Sequence, residues 1–288
     1  FEVVHKAFFT KKGVEGIVTL KEDTRKSIAE LTLMDDIFMN KVFDNDIGRT
    51  AFLLRIILKN DKIKVIKATT QQKLKNLLGH DLQLDILAQN ENGTLFNVEI
   101  QNQSSGAAAR RARYHLSLLD SLSLPKGKTY KQLPDNYVVF ITQNDVLKGG
   151  LPLYHINRKI EENDKAFADG SHIIYVNNKI KDETPLGRLM HDFTCKNPDD
   201  MYYPELAEKA GYFKETEKGL TNMGDVFEKF AAKRAKEAAK EAAEATTKEN
   251  KIEFAKGLLA DGMSIEFTVR HSKLSEAEVR ELASKLSA

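Results

Sequence analysis

The chain of 288 residues holds a single cysteine, Cys195. That excludes an internal disulfide and suits a reducing cytoplasm, the expected location. It also leaves no thiol pair for a zinc knuckle. The histidines do not make up for it: His80, His115, His172 and His191 are scattered without ligand spacing, so each reads as structural or surface. No apolar run reaches the roughly eighteen residues of a membrane span. An excess of one charge is lacking as well. Lys and Arg number 44 against 42 Asp and Glu, a net charge of +2, so no global basicity announces nucleic acid. With 41% hydrophobic and 30% charged residues, the chain is ordinary for a soluble protein and long enough for one sizeable core plus an appendage. No small-molecule cofactor is expected.

What is present is concentrated between Leu84 and Gln101. The runs Leu84-Asp85-Ile86-Leu87-Ala88 and Leu95-Phe96-Asn97-Val98-Glu99-Ile100-Gln101 read as two strands. Asn92-Gly93 between them marks a tight turn, because both residues tolerate positive φ. On the second strand Phe96, Val98 and Ile100 point to one face; Asn97, Glu99 and Gln101 point to the other. The hairpin can bring the Asp85 carboxylate near that of Glu99. Two carboxylates so close repel unless a cation lies between them, and a hard divalent ion with oxygen ligands is the natural resident. A solvated hairpin face is the plain alternative.

Along the rest of the chain, 1–5 and 16–20 read as short strands or an irregular lead-in. Helices are expected over 35–43, 48–58 and 107–123, with strands at 63–66, 82–88, 95–101, 137–142 and 172–176. Residues 185–203 read as helix and loop. The pattern is a mixed sheet flanked by helices, an α/β core. From 213 to 250 the composition shifts to Ala, Lys and Glu, strong helix formers with alternating charge, which reads as a solvated helical arm. In the tail, 251–288, Phe254, Leu258 and Leu259 form an apolar stripe and Gly262 suits a helix end. Ser264 can cap the next helix. Ser275 with Glu278 fits a capping box, and a last helix carries Val279, Leu282 and Leu286. This tail reads either as a helix-turn-helix-like unit or as a helical packing or oligomerisation element.

Several segments in order resemble one family. Leu31-Thr32-Leu33-Met34-Asp35-Asp36-Ile37-Phe38-Met39-Asn40-Lys41-Val42-Phe43 is similar to its opening helix, and the Asp85-to-Gln101 hairpin to its signature. Arg110-Arg111-Ala112-Arg113-Tyr114-His115-Leu116-Ser117-Leu118-Leu119-Asp120 is similar to its basic helix. Lys126-Gly127-Lys128-Thr129-Tyr130 and the strand Tyr137-Val138-Val139-Phe140-Ile141 follow. Over roughly residues 31–230 the chain resembles the Rpn-like (recombination-promoting nuclease), PD-(D/E)XK nuclease family transposases. Departures are Gln101 where Lys is usual, Leu84 where Pro precedes the aspartate, Gln83 where an Arg is frequent, and His115 in place of the second of a Tyr pair.

The resemblance implies a restriction-endonuclease-like core over 31–212, after an unassigned lead-in over 1–30. It also implies a metal-dependent DNA endonuclease associated with transposition or recombination. Asp85, Glu99 and the Ile100 carbonyl would hold Mg²⁺ or Mn²⁺. Gln101 would orient water without the charge of a lysine. Asp36 matches an acidic family position that holds a metal-bound water, or is a surface or capping acid. Arg110, Arg113 and Tyr114 fall near one helical face. With Arg111, Lys126, Lys128 and Lys131 they are candidates to grip phosphates, or ordinary solvated charges with a packed tyrosine. DNA is the expected partner, and a two-strand cut would favour a homodimer. The reading from another class is a non-catalytic DNA-binding or oligomeric scaffold that keeps the nuclease fold.

Overall fold

The structure is a computed structural model that describes residues 22–75, 80–102 and 104–286. The strands expected within 1–20 lie outside the described residues. The chain divides into two compact units, at Phe227 and Glu228.

The first unit is built on a sheet that has six strands among the described residues, in the order β1-β2-β3-β4-β6-β5. These are β1 (Val65–Leu74), β2 (Leu82–Asn90), β3 (Leu95–Gln101), β4 (Asn136–Thr142), β5 (Leu153–Ile156) and β6 (Ser171–Asn177). β2 runs antiparallel to both β1 and β3; β4 and β6 continue parallel to β3; β5 closes the far edge antiparallel. β4 is covered on both faces, and its run Tyr-Val-Val-Phe-Ile is accordingly apolar throughout.

One face carries α1 (Glu22–Glu30), α2 (Asp36–Phe43), α3 (Ile47–Leu58), α5 (Pro185–Thr194) and α6 (Pro204–Glu215). Phe38, Val42, Leu53, Leu54, Ile57, Leu189 and Phe193 pack there on Ile86, Val98, Ile100, Val139 and Ile141. The spacing of Leu53, Leu54 and Ile57 makes a helix stripe. The start of α3 is fixed by Asp46, whose side chain accepts from the Arg49 amide at 3.0 Å. The opposite face carries α4 (Ala109–Ser123), whose Ala112, Leu116 and Leu119 pack on Leu84, Leu95, Val138, Phe140 and Tyr175.

The structure corrects several boundaries. β1 runs through Leu74 instead of ending at 66. It is an edge strand rich in Lys, Thr and Gln, so apolar alternation marks only its start. β5 went unread because it is four residues long and half exposed. α4 begins at Ala109 after a 3-10 turn over Ser104–Ala107. In the β2–β3 turn Gly93 has φ +83, as its residue type requires. The turn is also tied by Asn90, whose Oδ1 accepts from the amides of Asn92 and Thr94 at 3.0 and 2.9 Å.

The second unit begins within α7 (Glu217–Ala260), one continuous helix that spans the position 250/251 where arm and tail were divided in the sequence. α8 (Ile265–Ser272) starts at Ser264, whose side chain accepts from the Phe267 amide. α9 (Glu276–Leu286) starts at a capping box: the Ser275 amide and hydroxyl donate to Glu278 Oε2 at 3.0 and 2.7 Å. Ala255, Leu274 and Val279 form its small core, with Leu259, Val269 and Leu282 against them.

Candidate active site

β2 and β3 pair from Gln89 opposite Leu95 to Ile86 opposite Val98, and the ladder then stops. Asp85 and Glu99 are the next residues on each strand. Where the backbones part, side chains take over the bonding. The Ile100 amide donates to Asp85 Oδ2 at 2.9 Å, and the Asp85 amide lies 3.3 Å from Glu99 Oε1. On the other side of β2, Gln71 of β1 adopts φ +52 and its amide nitrogen lies 3.3 Å from Asp85 Oδ1. Leu84 and Ile86 pack into the clusters on opposite faces of the sheet, although two residues apart. The regular alternation of β2 is therefore broken at Asp85, much as at a bulge.

Glu99 is fully buried. Its Oε2 lies 3.3 Å from the Arg111 guanidinium of α4. Burial raises the pKa of Glu99, to about 8, and the Asp85 charge pushes the same way while Arg111 opposes. Burial raises Asp85 to about 6; the Ile100 amide opposes, and the charge of Asp36 adds to the rise. Asp36 sits exposed in the first turn of α2. Both carboxylates thus resist ionisation because burial and the neighbouring acid outweigh the Arg111 charge.

His115, one turn after Arg111, is also fully buried. Burial, aided by the Arg111 charge, lowers its pKa to about 4, so it is neutral near pH 7. Its Nε2 accepts from Arg111 Nε at 3.2 Å, which leaves the ring hydrogen on Nδ1. Glu99 Oε1 lies 3.6 Å from that Nδ1, and the Asn97 side chain, 2.9 Å from it, can accept the ring hydrogen only through its oxygen, which otherwise has no partner among the described residues. Gln101 is half-buried beyond Glu99, its side chain over Gly106. A Cβ at Gly106 would stand 1.9 Å from Gln101 Oε1 and 3.6 Å from Arg111 NH1.

The residues marked in the sequence divide. Asp85, Glu99, the Ile100 backbone and Gln101 come together at one end of β3, with Asp36 near enough to act through its charge. Arg110 and Arg113 face solvent, and the half-buried Tyr114 donates its hydroxyl to the His80 carbonyl at 2.8 Å. Gln83 is exposed. Arg111 was read only as one of the phosphate-gripping charges, not as a partner of Glu99, and the parts of His115, Asn97 and Gln71 were missed. The buried stripe Ala112, His115, Leu116, Leu119 was the available signal, since it places Arg111 beside His115 on the sheet side of α4.

The donor set suits a hard divalent cation: two carboxylates whose proton affinity is raised by burial and repulsion, each oxygen with a lone pair to spare. The Ile100 carbonyl points to the same side of β3 as its N–H, toward Asp85, because the two groups of one strand residue share a side. Among the described residues no three His, Cys, Asp or Glu side chains converge as a ready-made metal centre. The carbonyl and water would have to complete the coordination.

A family model for the PD-(D/E)XK nuclease family transposase matches residues 33–185. The chain belongs to this family. The matched span covers both acids, Gln101 and α4, and the mixed sheet with helices on both faces agrees with the family's restriction-endonuclease-like fold. Membership supports a nuclease, transposase-associated role and implies a DNA substrate; PD-(D/E)XK nucleases generally use divalent metals. No curated protein and no solved structure matches the chain. No helix among the described residues is long and apolar enough to cross a membrane.

Proposed function

We propose that this PD-(D/E)XK protein is a metal-dependent DNA endonuclease, acting in transposition or recombination, with its site at Asp85 and Glu99. The observation that carries this reading is the pair itself. A fully buried and a half-buried carboxylate stand on adjacent strands, with raised pKa values, where the β2–β3 ladder opens. Such an arrangement costs stability unless a cation is accommodated.

Asp85, Glu99 and the Ile100 carbonyl would hold Mg²⁺ or Mn²⁺. When bound, the ion supplies charge for the phosphoryl oxygens and lowers the pKa of a water. The chain's own residues do the rest. The Ile100 amide and Gln71 fix the Asp85 rotamer. Arg111 and the Asp85 amide fix Glu99. The Gln101 amide would orient the attacking water, whose oxygen bonds to phosphorus as the P–O bond to the leaving oxygen breaks; the proton the water gives up passes to solvent, and the leaving oxygen takes one up from solvent. Asp36 can hold a further water by hydrogen bonding. The exposed Arg110 and Arg113, with Lys126, Lys128 and Lys131, would contact phosphates along the duplex, so binding should weaken with salt. A cut through both strands would favour two copies.

The neutral Gln101 favours one second reading, a DNA-binding scaffold without catalysis. Plasmid nicking separates the two. The purified chain should nick supercoiled DNA with Mg²⁺ or Mn²⁺, and Asp85→Ala should abolish it. DNA binding without nicking under any divalent ion would leave the scaffold reading.

A further inference from the structure

Cleaving a phosphodiester concentrates negative charge beside two carboxylates, and such charge is stabilised by fixed cations aimed at it. Gln101 supplies none. Among the described residues one cationic side chain contacts either acid, and it comes from another element: Arg111 of α4, 3.3 Å from Glu99 Oε2. Its guanidinium is held on two sides, Nε on His115 at 3.2 Å and NH2 on Glu99. The third nitrogen, NH1, has no hydrogen-bond partner among the described residues. It lies on the Gly106 side, next to the Gln101 amide. The Arg111 side chain is 39% exposed while Glu99 has no exposed surface, so the guanidinium forms the boundary between the buried acid and solvent.

Gly106 is what lets Gln101 and Arg111 lie side by side, since a Cβ there would occupy the position of the Gln101 oxygen. His115 is what fixes the guanidinium plane, because a neutral imidazole accepts from Nε and leaves the far edge of the fork outward.

We propose that Arg111 is the phosphate-contacting cation of this site: α4, and not β3, supplies the positive charge, through NH1, at the position where Gln101 supplies only a neutral amide. The inference rests on the nuclease reading above. Arg111 pairs with Glu99 at rest and with both Glu99 and the substrate phosphate during cleavage. His115 is a positioning residue that acts through Arg111.

The test uses the full chain with single-turnover plasmid nicking, thermal melting, and calorimetric titration of Mn²⁺ alone. Arg111→Gln should lower nicking by roughly a hundredfold or more. It should bind Mn²⁺ at least as tightly as the parent, because a competing cation has gone. Gln101→Lys in the Arg111→Gln background should regain at least tenfold, with the charge returned from β3. Arg111→Lys, which keeps a charge should the Gln variant not fold, should nick better than Arg111→Gln or, in that event, above background. Parent-level nicking by Arg111→Gln overturns the proposal. So does loss of Mn²⁺ binding along with nicking, which would make Arg111 merely structural. Failure of Gln101→Lys to rescue, or Arg111→Lys no better than Gln or background, also overturns it. A parent chain that does not nick would instead defeat the nuclease reading.

Discussion

Glu99 on β3 and Asp192 on α5 are both acids without exposed surface, and their surroundings are opposite. Asp192 takes backbone amides on both oxygens, from Tyr202 and Tyr203, each at 2.9 Å, and His191 Nδ1 stands 3.1 Å from Oδ1. It ties the end of α5 to the segment that enters α6. Glu99 has longer contacts, 3.3 Å to the Asp85 amide and 3.3 Å to Arg111, and a second carboxylate beside it. Burial alone therefore does not mark a functional acid. The mark is burial with incomplete compensation, because a buried charge without full hydrogen bonding is costly and persists where something else is to be bound.

The largest expected effect lies on the functional side. Asp85→Asn or Glu99→Gln should reduce nicking by a thousandfold or so, as removal of a key catalytic group does. Above about pH 8, where both acids are ionised, melting temperature should stay the same or rise, since one of two repelling charges is gone. A fall in stability comparable to that of Asp192→Asn would erase the contrast.

Asp192→Asn is the mirror experiment. The amide keeps one acceptor but turns a donor toward the second backbone N–H. The expected cost is about 2–3 kcal/mol of unfolding free energy by denaturant titration. Nicking measured well below the melting temperature should be retained. A neutral effect on stability would remove Asp192 as the reference for a structural acid.

The pH dependence sharpens the difference further. Asp85 and Glu99 have folded pKa values above those of the unfolded chain, about 6 and about 8. The folded state therefore holds more protons between the ordinary carboxylate range and those values. Stability from this pair is fully present below about pH 4 and is lost as pH rises through the folded values. In metal-free buffer stability should decline across this range, and the decline should be flattened in Glu99→Gln. A metal-free stability that rises across this range in the parent relative to Glu99→Gln would contradict the assignment.

The smallest effect belongs to Gln71→Ala. This removes one amide contact to Asp85 and leaves the Ile100 amide in place. A loss of several-fold in nicking and about 0.5–1 kcal/mol in stability is expected. A loss as large as that of Asp85→Asn would mean that Gln71 has a direct part in the chemistry.

How far these acids could be read from sequence follows from what is local. The approach of Asp85 to Glu99 was legible because Asn92-Gly93 sets a hairpin, and the face of Glu99 because β3 alternates, although β2 does not at Asp85. Ser275 with Glu278 was legible because a capping box is a four-residue pattern. Gln71 was not, because its role depends on pairing with β2 across residues that carry no apolar pattern. Arg111 was read only as one of several phosphate-gripping charges and His115 only as structural or surface, because their orientation depends on which side of α4 meets the sheet. Arg110 and Arg113 drew notice as charge, yet they face solvent, and the arginine between them turns inward.

The central claim is that Asp85 and Glu99 form a cation-holding site. Calorimetric titration of Mn²⁺ into the metal-free chain near pH 7.5 tests it most directly. The account predicts saturable binding with release of protons, lost in both Asp85→Asn and Glu99→Gln, with both variants still folded. Binding that survives in either folded variant unchanged, or a parent chain that binds no divalent ion with or without DNA, would contradict it.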